Sequence, residues 1–224
     1  VQNWRSNPEL AEQRWSSLPG LTRKGTPRFA GEIWRGPDAA PILLERFIQA
    51  DEDGEVRAAL VAGLSHTDGD WTQAVSELFE FETEASVREV MADVLRHGVA
   101  EYAWQGLQLA ASDSDAKVRA AAMRSIASRK DGAQGEALIL QSLSDTDTTA
   151  RGAAARSAGV LELKSAYAPI RSMLNDSDAS VRLHALRALS RIDPVHAAQL
   201  TELSQLVTDP DAKVQRLAER IAQP

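Results

Sequence analysis

The chain has 224 residues, 43% hydrophobic and 25% charged, as suits a folded protein with a substantial buried surface. A net charge of -7 and a pI near 5.2 argue against a globally basic nucleic-acid binder, while leaving room for a local basic patch. With no cysteine, disulfides, thiolate catalysis and Cys-ligated metals are excluded.

In chain order, residues 1–37 read as an irregular helical cap, with Trp4, Trp15 and Trp34 as its packing residues. TPRFAGEIW at 26–34 is a degenerate copy of a unit that recurs from residue 38 onward. APILLERFIQA (40–50) is a helical segment, followed by DEDGEVRAALVAGLS (51–65). WTQAVSELFEF (71–81) precedes ETEASVREVMADVLR (82–96), and DSDAKVRAAAMRSIA occupies 113–127. EALILQSL (136–143) leads to DTDTTARGAAARSAG (145–159). DSDASVRLHALRALS fills 176–190, and AAQLTELSQLV (197–207) leads to DPDAKVQRLAERIAQ (209–223).

The residue before the recurring Arg marks the register: Val56, Val87, Val118, Ala150, Val181 and Val214, at intervals of 31, 31, 32, 31 and 33. A period of that length is the signature of a stacked repeat. From the marker, apolar residues fall every fourth position: Val56, Leu60, Leu64; Val87, Met91, Leu95; Val118, Ala122, Ile126; Val181, Ala185, Leu189. Those positions share one face of a helix. Alternating strand patterns are missing, and Gly-, Asp- or Pro-containing links such as RKDGAQG and RIDPVHA join the segments. An all-α array of helical hairpins is expected over 38–224 as one continuous domain.

The D-x-D-x-x-V-R-x-x-A motif, carried by these copies, resembles the HEAT repeat family. The likeness is nearest to its short bacterial type, as in phycobilisome-lyase-like proteins, and covers residues 51–224. It implies a right-handed α-solenoid of about six hairpins, with the second helix of each lining the concave side.

The second Asp of each turn (Asp53, Asp115, Asp147, Asp178, Asp211) stands where a carboxylate caps the free amides of a helix start. The resemblance implies that the Arg after the marker bonds an Asp of the neighbouring repeat. That role falls on Arg57, Arg88, Arg119, Arg151 and Arg182, with Asp113, Asp145, Asp176 and Asp209 as acceptors. Gln215 replaces the Arg in the last copy, as a terminal repeat with no neighbour to hold would allow. Carboxylates two apart also suit Ca²⁺. These loops, however, lack the further acidic ligand and the glycine of an EF-hand, so capping is the preferred reading.

Catalytic signatures are missing: no G-x-S-x-G, P-loop or G-x-G-x-x-G occurs, nor a His-Glu pair like that of iron-binding HEAT-like hydroxylases. His66 and His97 share a place in successive repeats and read as C-terminal helix residues interacting with the dipole, not as a metal pair. His184 and His196 are isolated. The five Trp residues keep a glycosylase-like groove in view without a partner motif. No cofactor and no metal are expected, and no apolar run is long enough to span a membrane. The first residues, VQNWRS, carry no Met and no visible signal peptide, as in a processed or trimmed chain, so no compartment can be assigned.

Six residues past the marker stand Ala62, Asp93, Arg124, Arg156, Arg187 and Arg220. Two past it stand Ala58, Glu89, Ala120, Gly152, Leu183 and Arg216. Both columns are expected to face outward, giving a basic ladder of Arg124, Arg156, Arg187, Arg220 and Arg216 flanked by small residues. The expected function is a non-catalytic protein-binding scaffold for a partner with an acidic segment. The alternatives are a lyase-type accessory subunit, as the resemblance allows, and a nucleic-acid backbone binder, which the acidic total disfavours.

Overall fold

A computed structural model of the chain describes residues 39–48, 54–67 and 70–222. The expected cap of residues 1–37, with Trp4, Trp15 and Trp34, lies outside the described residues, as does Asp53. Every regular element described is helical. The helices are α1 (Ala39–Ile48), α2 (Gly54–Leu64), α3 (Thr72–Leu78), α4 (Ala85–Val94), α5 (Ala100–Ala111) and α6 (Ala116–Ser128). They continue with α7 (Glu136–Ser142), α8 (Thr148–Val160), α9 (Tyr167–Ser172), α10 (Ala179–Ile192), α11 (Pro194–Ala198), α12 (Leu203–Leu206) and α13 (Ala212–Ala222). Short 3₁₀ turns extend several of them, at Phe79–Phe81, Leu95–His97 and Met173–Asn175.

Packing divides the chain into two units, Val1–Ser125 and Ile126–Pro224, with the division inside α6. In the first unit α1 packs on α2, α2 lies beside α4, and α3 lies beside α5. In the second, α7 packs on α8, α9 on α10 and α12 on α13, while α8, α10 and α13 lie side by side. Each unit is thus built of hairpins whose second helices form one layer.

The apolar positions counted from the marker fill the core. Val56, Leu60, Leu64, Val87, Met91, Leu95, Val118, Ala122, Ile126, Val181, Ala185 and Leu189 are all buried. Burying a Val, Leu or Ile contributes about 1.5–3 kcal/mol, so the marker face is the main source of stability. Small residues let the second helices approach closely. A Cβ added at Gly159 of α8 would lie 2.8 Å from Ala188 Cα on α10.

One expected helix is broken. Residues 197–207 form two short helices, α11 and α12, not one. Asp193 caps the first by accepting from His196 N at 2.9 Å, and Pro194 sits in its first turn, so the helix starts early and ends at Ala198. The break brings Leu200, Leu203 and Leu206 all into the core.

Candidate functional site

The repeated turn uses its two acids differently. The second caps the helix: Asp115 accepts from Lys117 N, Asp147 from Thr149 N, Asp178 from Ser180 N and Asp211 from Lys213 N, at 2.7–2.8 Å. The first folds the turn on itself. Asp113, Asp145, Asp176 and Asp209 accept the amides of Asp115, Asp147, Asp178 and Asp211 at 2.8–2.9 Å.

The first acid also receives an arginine from the preceding repeat. Arg88 donates Nε and Nη2 to Asp113 at 2.6 and 2.9 Å, Arg151 to Asp176 at 2.9 and 3.1 Å, and Arg182 to Asp209 at 2.8 and 2.8 Å. The third guanidinium nitrogen, Nη1, turns back to two carbonyls of its own turn. For Arg182 these are Asp176 O at 2.9 Å and Ser177 O at 3.1 Å. Arg119 makes the same own-turn pair, to Asp113 O and Ser114 O at 2.8 and 3.0 Å. It falls in the first unit, whereas Asp145 falls in the second. A planar fork holds two directions at once, which an ammonium cannot do.

Arg57 follows the pattern with different acceptors: Nη2 donates to Glu82 at 2.8 Å and to Glu84 at 3.3 Å. Glu82 belongs to the worn copy ETE, five residues before its marker, where the other copies have Asp. That offset is the sequence signal for it. Gln215, at the Arg position of the last copy, donates to Glu219 on its own helix at 3.0 Å.

These pairs shift the acids. Arg182, through its hydrogen bonds, holds the Asp209 carboxyl below the ordinary range. At Asp113 burial pushes upward, but the hydrogen bonds from Arg88 and from the Asp115 amide outweigh it, and the carboxyl is held low.

The outward columns differ from expectation. In the column two past the marker, Ala120, Gly152 and Leu183 are buried, so that stretch of the column does not face outward. In the second unit the second helices lie side by side, and their flanks are covered. The exposed strip narrows to the column six past the marker. There Arg156, Arg187 and Arg220 are exposed, whereas Arg124 is half-buried and donates Nη2 to Glu89 at 3.2 Å. Arg124 is therefore half of an ion pair rather than an open rung. Asp93, in the same column, pairs with Arg96 at 2.8 Å. Arg216 is exposed and donates Nε to Ala212 O at 3.0 Å.

Arg156, Arg187 and Arg220 have no hydrogen-bond or ion-pair partner within the described residues. Between the first two lies His184, three past the marker on α10, which looks isolated in the sequence. Its ring is half-buried against α8, where a Cβ at Gly152 would come within 3.2 Å of Cδ2. Burial chiefly, then the charges of Arg156 and Arg187, hold its basicity below the usual imidazole value.

The other histidines give no site. Arg96 Nε donates to His97 Nε2 at 3.0 Å, which makes that nitrogen an acceptor. Burial, Arg96 and, less strongly, His66 lower the basicity of His97 further, so a cationic imidazole at the helix end is not its role. Among the described residues no group of three His, Cys, Asp or Glu side chains is placed to hold a metal ion. None of the described helices is long and apolar enough to cross a membrane.

Residues 135–222 match the model of HEAT repeats. No curated protein matches the chain. Among solved structures, an engineered protein shares 20% identity at a TM-score of 0.54, over 80% of this chain and 94% of that one. A second engineered protein shares 21% at 0.54, over 89% of this chain and 63% of that one. The YibA protein of Escherichia coli shares 14% at 0.57, over 98% of both chains. At such identities the likeness is one of fold: an all-helical repeat architecture of the solenoid class.

Proposed function

We propose that this chain is a non-catalytic protein-binding scaffold, and that the second-helix face of residues 148–222 engages an acidic segment of another protein. The observation that carries this reading is the contrast between two sets of arginines. Arg88, Arg151 and Arg182 of the turns commit every nitrogen to carboxylates and carbonyls, whereas Arg156, Arg187 and Arg220 stand exposed with no partner among the described residues. Exposed guanidiniums aligned along one layer favour carboxylates of a partner and speed its approach. HEAT repeats commonly serve protein binding, and residues 135–222 carry them.

The test is fluorescence anisotropy with a labelled glutamate-rich peptide, beside a lysine-rich one and a random DNA duplex. Binding of the acidic peptide, weakened at least tenfold by the Arg156→Glu/Arg187→Glu double variant, is expected. Equal binding by that variant, or preference for the duplex, overturns the proposal.

A further inference from the structure

The second unit places one imidazole among the arginines that have no partner within the described residues. His184 of α10 comes three residues after Val181, and Arg187 another three later, so the two side chains share a helix face one turn apart. Arg156 follows Gly152 by one helical turn on α8, and Gly152 is the residue the His184 ring rests against; both guanidinium charges act on the imidazole. The floor is Gly152, inside α8, where the lack of a Cβ lets the ring rest against the helix. Gly inside a helix costs about 1 kcal/mol relative to Ala, and here it makes room for that ring.

The ring's orientation is informative. Nδ1 is buried and meets no hydrogen-bond partner. An N–H there would have nothing to donate to, so the neutral ring keeps its proton on Nε2, the nitrogen left to meet a ligand. The free protein therefore presents two guanidiniums and an imidazole N–H on neighbouring turns of two packed helices. Acidic side chains, the usual partners of such donors, are committed elsewhere. Asp178 caps α10, and Asp176 and Asp209 hold Arg151 and Arg182.

We propose that Arg156, His184 and Arg187 form a seat for one carboxylate of the partner's acidic segment. The seat rests on the scaffold reading and names where on that face the partner is anchored. A carboxylate is the fitting occupant because it accepts from planar forks and from an imidazole N–H at once. The acidic total of the chain and the absence of lysines beside these arginines favour a peptide acid over a nucleic-acid backbone.

A seat of this composition couples binding to a proton. With the site empty, the charges acting on the ring are Arg156 from α8 and Arg187 and Asp178 from α10 itself; no described charge of α9, α11 or α13 acts on it. The two arginines oppose a third positive charge. A seated carboxylate offsets them, and His184 then takes up a proton more readily. Binding must tighten as pH falls, by about tenfold for each unit by which the bound ring's pKa exceeds the free one.

The experiment is NMR titration of the imidazole signals, free and saturated with a glutamate-rich peptide, with anisotropy binding curves between pH 7.5 and 5.5. Only four histidines contribute signals, and His184→Gln identifies the relevant one by its loss. The expected result is an upward displacement of the His184 titration on peptide binding. Native affinity should rise about tenfold across the range, and His184→Gln, checked for native circular dichroism, should bind with a flatter pH profile. If the peptide binds while the His184 titration stays put, or if His184→Gln keeps the native pH profile, the seat is overturned and the scaffold reading stands. If the native protein binds no acidic peptide at any pH, both fall.

Discussion

Replacing Asp209 by Ala tests the joint that recurs through the array. Asp209 is 9% exposed and accepts two guanidinium hydrogens from Arg182, both at 2.8 Å, together with the Asp211 amide at 2.8 Å. Its side chain and that of Arg182 are 5% and 12% exposed, so the pair lies well away from the surface class whose members contribute about 0–1 kcal/mol. Hydrogen bonds to charged groups contribute about 1.5–3 kcal/mol each, and their loss here is partly offset because Arg182 keeps its bonds to Asp176 O and Ser177 O. The expected cost is about 2–3 kcal/mol at pH 7, read by urea denaturation as a lowered midpoint with the slope unchanged. Hydrogen exchange should rise chiefly in α10 and α13, since stacked repeats hold one another through nearest-neighbour interfaces. The pH dependence has a definite sign. The Asp209 carboxyl is held low in the fold, so its contribution is fully present above the unfolded value of about 3.9 and is lost as pH falls through the folded value. The gap between native and Asp209→Ala proteins must therefore narrow below about pH 4. A cost under about 0.5 kcal/mol at pH 7, or a gap that widens in acid, refutes the joint's role.

Two glycines of α8 should respond with opposite signs to Ala. At Gly159 the new Cβ meets the backbone of α10, 2.8 Å from Ala188 Cα, and overpacking of about 1–3 kcal/mol should outweigh a helix gain of about 1 kcal/mol. At Gly152 it meets only the His184 ring edge at 3.2 Å, so thermal melting should show a neutral or slightly raised midpoint. Asp178→Ala removes the cap bonds to Ser180 N and Val181 N at 2.8 and 3.2 Å and should cost about 1 kcal/mol by denaturant titration, with Asp178→Asn recovering most of it. Arg88→Lys should behave nearly as badly as Arg88→Ala in the same assay, because an ammonium cannot reach Asp113 and the Glu82 and Thr83 carbonyls together.

The repeat is legible in the sequence because the physics that forms it is local. A carboxylate before a helix, an apolar residue at every fourth place and an arginine at fixed offset each leave a mark within a single turn and helix. Glu82 escapes that reading because the worn copy writes Glu for Asp, although its offset from Val87 is the same. The two helices over residues 197–207 escape for a different reason: Asp193 and Pro194 start a helix early, and apolar periodicity does not register where it stops. The column of Ala120, Gly152 and Leu183 reads as outward because its burial depends on a helix of another repeat. Small side chains mark close approach as readily as an open surface, and a Cβ added at Gly152 or Gly159 of α8 would lie 3.2 or 2.8 Å from atoms of α10. His184 looks isolated because the residues that give it meaning, Arg156 and Gly152, belong to the preceding repeat.

The abundance of arginine over lysine, 20 against 5, has two uses that the fold separates. Beside the turns, every guanidinium nitrogen of Arg88, Arg151 and Arg182 that can donate does so. Such residues contribute to stacking and leave nothing for a partner. In the column six past the marker the two units diverge. Arg124 in the first is offset by Glu89, and Asp93 by Arg96, so that face is close to neutral. In the second unit no described acid stands opposite Arg156, Arg187 or Arg220. Had these arginines been placed only as good helix formers, nothing would have opposed similar pairing in both units. Acids set against one half of a column and, among the described residues, missing from the other are what the proposed binding face requires. On the scaffold reading proposed above, a carboxylate of the partner completes it.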